Sequence, residues 1–189
     1  DVRPMLGSPK VYGYRNRAQF KTDGKQVGYM SEGTNALAPI DDCLVLNDSM
    51  RVILKGIKSS PRLADWLPTQ GFAWSYLDVD DHQSVAEVVP NRRRPFRQGN
   101  TEQNEAMKHW IVESLQGAQK TWPVVEAFCG SGNFTEALSA AGFSNILAAE
   151  VRGQAILELK ARALPGVKVL EIDMNDKSVW QQLGKTQPK

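Results

Sequence analysis

The residues best suited to chemistry lie in one short run, VVEAFCGSGNFTEAL, from Val124 to Leu138. An apolar segment of β character feeds through Gly130 and Gly132 into a helical pattern, and glycines at such a junction let a ligand approach the backbone with no Cβ in the way. The loop amides and the helix N-terminus would then lie beside that ligand. A plain strand-to-helix turn has the same look, so two further acids matter. Glu150 ends the next apolar segment and Asp173 follows the one after it. In a parallel sheet both carboxylates reach the carboxyl edge, next to the glycine loop.

An acid ending the second strand is well placed to accept hydrogen bonds from both ribose hydroxyls of an adenosine-containing ligand. A dinucleotide would use that geometry, but its fingerprint asks for a third glycine where Thr135 stands. S-adenosylmethionine has no pyrophosphate, and its loop needs close backbone approach more than a phosphate cradle. Glu126, inside the first strand, is either a satisfied buried carboxylate or a partner for a cationic ligand. Arg92, Arg93, Arg94 and Arg97 surround Phe96. They could hold RNA phosphates while the ring stacks on an unstacked base, or simply form a solvated loop. Phe96 itself could equally be a core aromatic.

The elements that must position these groups are legible in the pattern. Val124 to Phe128 predicts a short buried strand, Phe134–Ala141 a helix, Ile146–Ala149 a second strand, Gly153–Ala163 a second helix and Val167–Ile172 a third strand. That order, βαβαβ, is the front half of a parallel, doubly wound sheet. Ahead of it, Asn100 or Thr101 caps a helix with Ala106, Met107, Trp110, Ile111, Val112 and Leu115 on its apolar side, ending near Gly117. The first third reads differently. YRNRAQFKT and VGYM flank Asp23-Gly24 as a hairpin, Asn47 caps a short helix carrying Met50, Val52, Ile53 and Ile57, and Phe72 to Val89 returns to strand character. A domain boundary falls near Pro90-Asn91 and the arginine run, giving residues 1–95 and 96–189.

With 189 residues, 41% of them hydrophobic, the chain can bury a core. No apolar run is long enough to span a bilayer, and the first residues lack a secretory pattern, which points away from a membrane. A net charge of +2 does not by itself announce a nucleic-acid partner. Two cysteines, Cys43 and Cys129, do not make a disulfide framework, so a reducing cytoplasm is the expectation.

Two separate stretches, FRQGNTEQNEAM (Phe96 to Met107) and EAFCGSGNFTEAL (Glu126 to Leu138), together resemble the S-adenosylmethionine-dependent RNA uracil-5-methyltransferases of ribosomal and transfer RNA. The family pattern F-x-Q-x-N, a helix, then D-x-[FY]-C-G-x-G-x-F is matched in order, with Glu126 in place of the usual Asp. YRNRAQFK and DDCLVLN extend the resemblance more weakly over most of the chain. It implies an α/β fold: a β-rich linking domain (1–95) followed by the first half of a Rossmann-like methyltransferase sheet (96–189). It also implies RNA as partner and S-adenosylmethionine as cofactor, contacted by Gln98, Phe128, Gly130, Gly132, Asn133, Glu150 and Asp173, with Phe96 near the target base.

In such enzymes a cysteine thiolate adds to carbon 6 of uracil, carbon 5 takes the methyl group, and a base removes the carbon 5 proton. The family carries that cysteine beyond a D-P-P-R-x-G segment. No such segment occurs here, so nucleophile and base are expected past Lys189, no catalytic residue is assigned, and this chain alone is expected to be inactive. Cys129 matches a non-nucleophilic loop cysteine. Cys43 resembles the last of four cysteines that hold an iron–sulfur cluster in some members, a cluster expected at most in the full-length protein. An initial Asp and a polar tail fit a fragment. A non-catalytic RNA-binding module is the other reading, and a nicotinamide oxidoreductase a third; oligomeric state is open.

Overall fold

The computed structural model describes residues 4–151, 153–173 and 175–176. The chain divides into two compact units, one built from residues up to Arg94 with Gln98–Asn104, the other from Pro95–Arg97 and Glu105 onward.

The first unit is a four-stranded antiparallel sheet backed by a helix. Its strands are β1 (Arg17–Thr22), β2 (Val27–Met30), β3 (Leu37–Pro39) and β4 (Ser75–Asp80), in the order β3-β2-β1-β4. The β1–β2 hairpin forms, but through four residues rather than two: Thr22 pairs with Val27, Asp23 Oδ1 accepts the Lys25 and Gln26 amides, and of the two turn residues only Gly24 has positive φ. The Asp side chain thus imitates a backbone turn. Helix α1 (Asp48–Lys58) starts where Asn47 accepts the Met50 amide. Its buried stripe is Met50, Ile53, Leu54 and Ile57, whereas Val52 is exposed; only the 3–4 spacing faces the core. That stripe packs on Ala18, Phe20, Leu77 and Val79.

The expected strand from Phe72 to Val89 is only partly formed. Phe72 is exposed, β4 ends at Asp80, and Val85–Glu87 is a 3-10 turn. Ser84 and Glu87 close a capping box there, with the Glu87 carboxylate accepting both the Ser84 amide and its hydroxyl, and that local bonding overrides the β preference of the valines.

In the second unit, β5 (Val124–Ala127), β6 (Ile146–Glu150) and β7 (Val167–Glu171) form a parallel sheet in the order β5-β6-β7. Helices α3 (Asn133–Ala140) and α4 (Gln154–Ala161) make the crossovers, and α2 (Thr101–Ser114) precedes them. Asn100 Oδ1 accepts the Gln103 amide and so caps α2. Ile111 and Leu115 pack against Leu138, Phe143 and Ile146, but Trp110 is half exposed. β5 is not the buried strand its sequence suggests: Val125 is 45% exposed, and among the described residues β5 pairs on one side only. No helix among the described residues is long and apolar enough to cross a membrane.

Candidate cofactor site at the glycine loop

The site lies at the carboxyl edge of the parallel sheet. Past β5, the Cys129 amide donates to Ala149 O at 3.0 Å, which carries the ladder with β6 one step further. The chain then reverses through three left-handed residues, Phe128 (φ 57°), Gly130 (56°) and Gly132 (89°), before α3 begins. The two glycines are needed for different reasons. A Cβ on Gly132 would come within 2.4 Å of Leu159 Cδ1 on α4, whereas one on Gly130 would meet nothing within 4 Å. Gly132 therefore serves packing, and Gly130 leaves open space at the loop surface. Phe128, 63% exposed, holds a strained backbone that a non-glycine residue adopts only under constraint.

Glu150 closes the loop from the neighbouring strand. Its Oε2 accepts the Gly130 amide at 2.8 Å and its Oε1 accepts the Val151 amide at 2.7 Å. The Gly132 amide donates to Cys129 O at 3.0 Å. The amides of both glycines are thus satisfied within the protein, so the loop amides expected to lie beside a ligand are already bonded to the chain itself. With both amides occupied, neither glycine is left to cradle a pyrophosphate. A carboxylate has about four lone-pair positions, so Glu150 retains capacity for further donors.

Thr135, at the position where a dinucleotide fingerprint has its third glycine, is fully buried and donates its Oγ1 to Glu126 Oε2 at 2.6 Å. Burial raises the Glu126 carboxyl above the usual glutamate range, and the Thr135 bond partly opposes this. Glu126 is therefore a hydrogen-bonded carboxylate of the strand, the blander of its two readings. Burial first, then the nearby Glu126 and Glu150 carboxylates, pushes the Cys129 thiol up to about 12. Such a thiol is not a nucleophile at neutral pH. Arg162, at the end of α4, donates to Ser131 O at 3.1 Å and Gly132 O at 3.4 Å and pairs with Glu136 at 2.6 Å. No sequence signal marked this strap, because its partners are mostly backbone carbonyls.

Of the remaining assigned residues, Asn133 opens α3 directly after the loop. Asp173 follows β7 by two residues and is exposed, with its Oδ1 accepting the Asn175 amide and side chain. The Ile172 amide donates to Glu150 O, so the second and third strand ends remain in register up to this point. Phe128, Gly130, Gly132, Asn133, Glu150 and Asp173 thus belong to one unit, while Gln98 belongs to the other.

The arginine run does not act as one surface. Arg94 is held by Asp80 at 2.9 Å and its amide by Asp78, which also forms a fork with Arg17. Arg92 and Arg93 are exposed. Phe96, at 76% exposure, is not a core aromatic.

The sheet order and site define a mixed α/β fold of the methyltransferase kind. A solved tRNA (uracil-54, C5)-methyltransferase of Pyrococcus abyssi, in complex with S-adenosyl-L-homocysteine, aligns over 88% of this chain and 58% of that one with a TM-score of 0.59 at 15% identity. An RNA methyltransferase of Nitrosomonas europaea is 40% identical over 185 residues, which is 98% of this chain and 47% of the relative. A tRNA/tmRNA (uracil-C(5))-methyltransferase of Yersinia pestis is 33% identical over 105 residues, 47% of this chain and 28% of that protein. The chain spans about half the length of the longest-matching of these relatives. The family model described as tRNA (Uracil-5-)-methyltransferase matches residues 67–170. The chain belongs to the tRNA (uracil-5-)-methyltransferase family.

Proposed function

We propose that this chain is part of a cytoplasmic enzyme that methylates carbon 5 of a uridine in ribosomal or transfer RNA, with S-adenosylmethionine as donor. The observation that carries this reading is Glu150 seated on the Gly130 amide beside an open Gly130 surface. That arrangement favours a nucleoside without a diphosphate, and it occurs in a chain of this family. S-adenosylmethionine supplies the methyl group as an electrophilic sulfonium. Glu150 binds the ribose hydroxyls with its remaining lone pairs, Phe128 offers an exposed ring to the nucleoside, and Asn133, Asp173 and Gln98 provide further polar contacts. The anionic Glu150 beside the loop also suits a cationic ligand.

Residues 1–95 serve as a β-rich linking domain and 96–189 as the first half of the Rossmann-like catalytic domain. The attacking cysteine and the base are assigned to the part of the protein that extends past this chain's share of its relatives. Cys43 packs against the first core with the Tyr29 hydroxyl 3.8 Å from its sulfur, and no group of three His, Cys, Asp or Glu side chains among the described residues is placed to hold a metal, so an iron–sulfur cluster belongs at most to the full-length protein. A non-catalytic RNA-binding role for this chain alone is favoured by one observation, the burial of the glycine-loop thiol Cys129, which holds it protonated at neutral pH.

Calorimetric titration of S-adenosylhomocysteine tests the reading. Binding that Glu150→Ala and Asn133→Ala each weaken by about 1–3 kcal/mol, the cost of a lost buried hydrogen bond, supports it. A cooperative thermal melt with no binding would sink the methyl-donor assignment.

A further inference from the structure

The outward face of the first sheet holds a cation that pairs with no acid among the described residues. Arg17, Gln19 and Lys21 alternate along β1 on the side opposite Ala18 and Phe20, and the register sets them against Asp80, Asp78 and Tyr76 of β4. Both acids are taken, Asp78 by Arg17 and the Arg94 amide, Asp80 by the Arg94 side chain. Lys21 is only 9% exposed. Its Nζ donates to Gln19 Oε1 at 2.8 Å and lies 3.9 Å from the Trp74 ring centroid and 5.5 Å from that of Tyr76.

An ammonium has three donors, and among the described residues no carboxylate pairs with this one. Exposed Arg93, itself without an ion pair or hydrogen bond among the described residues, adds a second positive charge; burial first, and then that charge, lower the Lys21 pKa. Burying a cation beside another cation is costly, and the rings offset only part of the cost. The rings are fixed in advance: Trp74 Nε1 donates to Asn35 O at 3.2 Å and Tyr76 OH donates to Asn91 O at 2.7 Å. A lysine walled by prebuilt rings, with a second positive charge acting on it and no carboxylate paired with it among the described residues, is suited to receive an anion.

We propose that Lys21, walled by Trp74 and Tyr76, together with Arg93, forms a docking site for a phosphodiester of the RNA substrate on the first unit. The inference rests on the RNA reading above and adds to it a contact remote in sequence from the glycine loop. RNA is favoured over an acidic peptide because a strand presents bases beside each phosphate, and aromatic side chains next to cations are the usual platform for them.

The test is anisotropy of labelled oligouridylate with the 189-residue chain over a potassium chloride series, for wild type, Lys21→Met, Arg93→Ala and the exposed control Lys25→Ala. Lys21→Met and Arg93→Ala should each weaken binding several-fold at low salt and reduce the log–log salt slope by about 0.7, the value for one lost single-strand phosphate contact. Lys25→Ala should leave the slope as it is. Should Lys21→Met fail to give a cooperative melt, Arg93→Ala carries the test. An unchanged slope in Arg93→Ala, or an equal drop in Lys25→Ala, overturns the site while leaving the RNA reading intact. A wild-type chain that binds no RNA overturns both. Inorganic phosphate or polyglutamate bound through Lys21, with RNA binding indifferent to it, overturns the choice of RNA.

Discussion

The two units bury their apolar surface in different ways. In the first, one continuous cluster joins both faces of the helix–sheet contact, with Phe20, Leu46, Met50, Leu54, Ile57, Leu77 and Val79 fully buried. In the second, the buried residues fall into separate small clusters around Phe143, around Leu159 and at Ala149. Val125 and Phe128 remain exposed on or just after the edge strand β5. An antiparallel sheet can be complete with one face covered, whereas a parallel sheet normally needs cover on both faces and more strands. Among the described residues, the first unit therefore has the more continuous core and the second the more divided one.

Substitutions can break or sharpen that contrast. The largest effect is expected from Phe20→Ala, which empties the centre of the first core and should cost about 3–5 kcal/mol. Amide exchange should show lost protection confined to β1, β2, β4 and α1; loss spread equally over β5–β7 would mean that the two regions unfold as one. Gly132→Ala comes next, at about 1–3 kcal/mol, because it forces a side chain into the left-handed region and against Leu159. Its damage should remain in the second unit and should abolish any protection conferred there by the S-adenosylhomocysteine binding proposed above.

The smallest effect concerns pH. Burial raises the Glu126 carboxyl, so the folded unit holds that proton more tightly than the unfolded chain. Its contribution to stability is fully present below the ordinary glutamate range and is lost as pH rises through the raised value. Glu136 behaves oppositely, since Arg162 lowers its pKa and its contribution is lost as pH falls. Glu126→Gln should remove the first slope and leave the second, as read by denaturation midpoints across mildly acidic pH. If the slope survives in the glutamine variant, another group owns it.

Much of the second unit was legible because its signals are local. Each strand and helix of the βαβαβ run lies within two residues of its expected bounds, and the glycines and Glu150 come together at the strand ends as the pattern implied. What sequence could not show were pairings between distant residues. Nothing local says that Glu150 takes the Gly130 amide, that Thr135 serves Glu126, or that Arg94 pairs with Asp80 while its neighbour Arg93 has no ion pair among the described residues. The strand expected up to Val89 failed for the reverse reason: propensity was read correctly, but a four-residue capping box competed with it. Lys21 went unnoticed because a lysine in a strand ordinarily points to water.

The Arg162 strap has a consequence for kinetics. Because one side chain ties the end of α4 to the Ser131 and Gly132 carbonyls, loosening the loop breaks both bonds and frees the Arg162 guanidinium. Any ligand exchange that opens this loop then carries the loss of those two bonds in its barrier. Arg162→Ala should therefore speed the dissociation of S-adenosylhomocysteine, if it binds as proposed, more than it slows association.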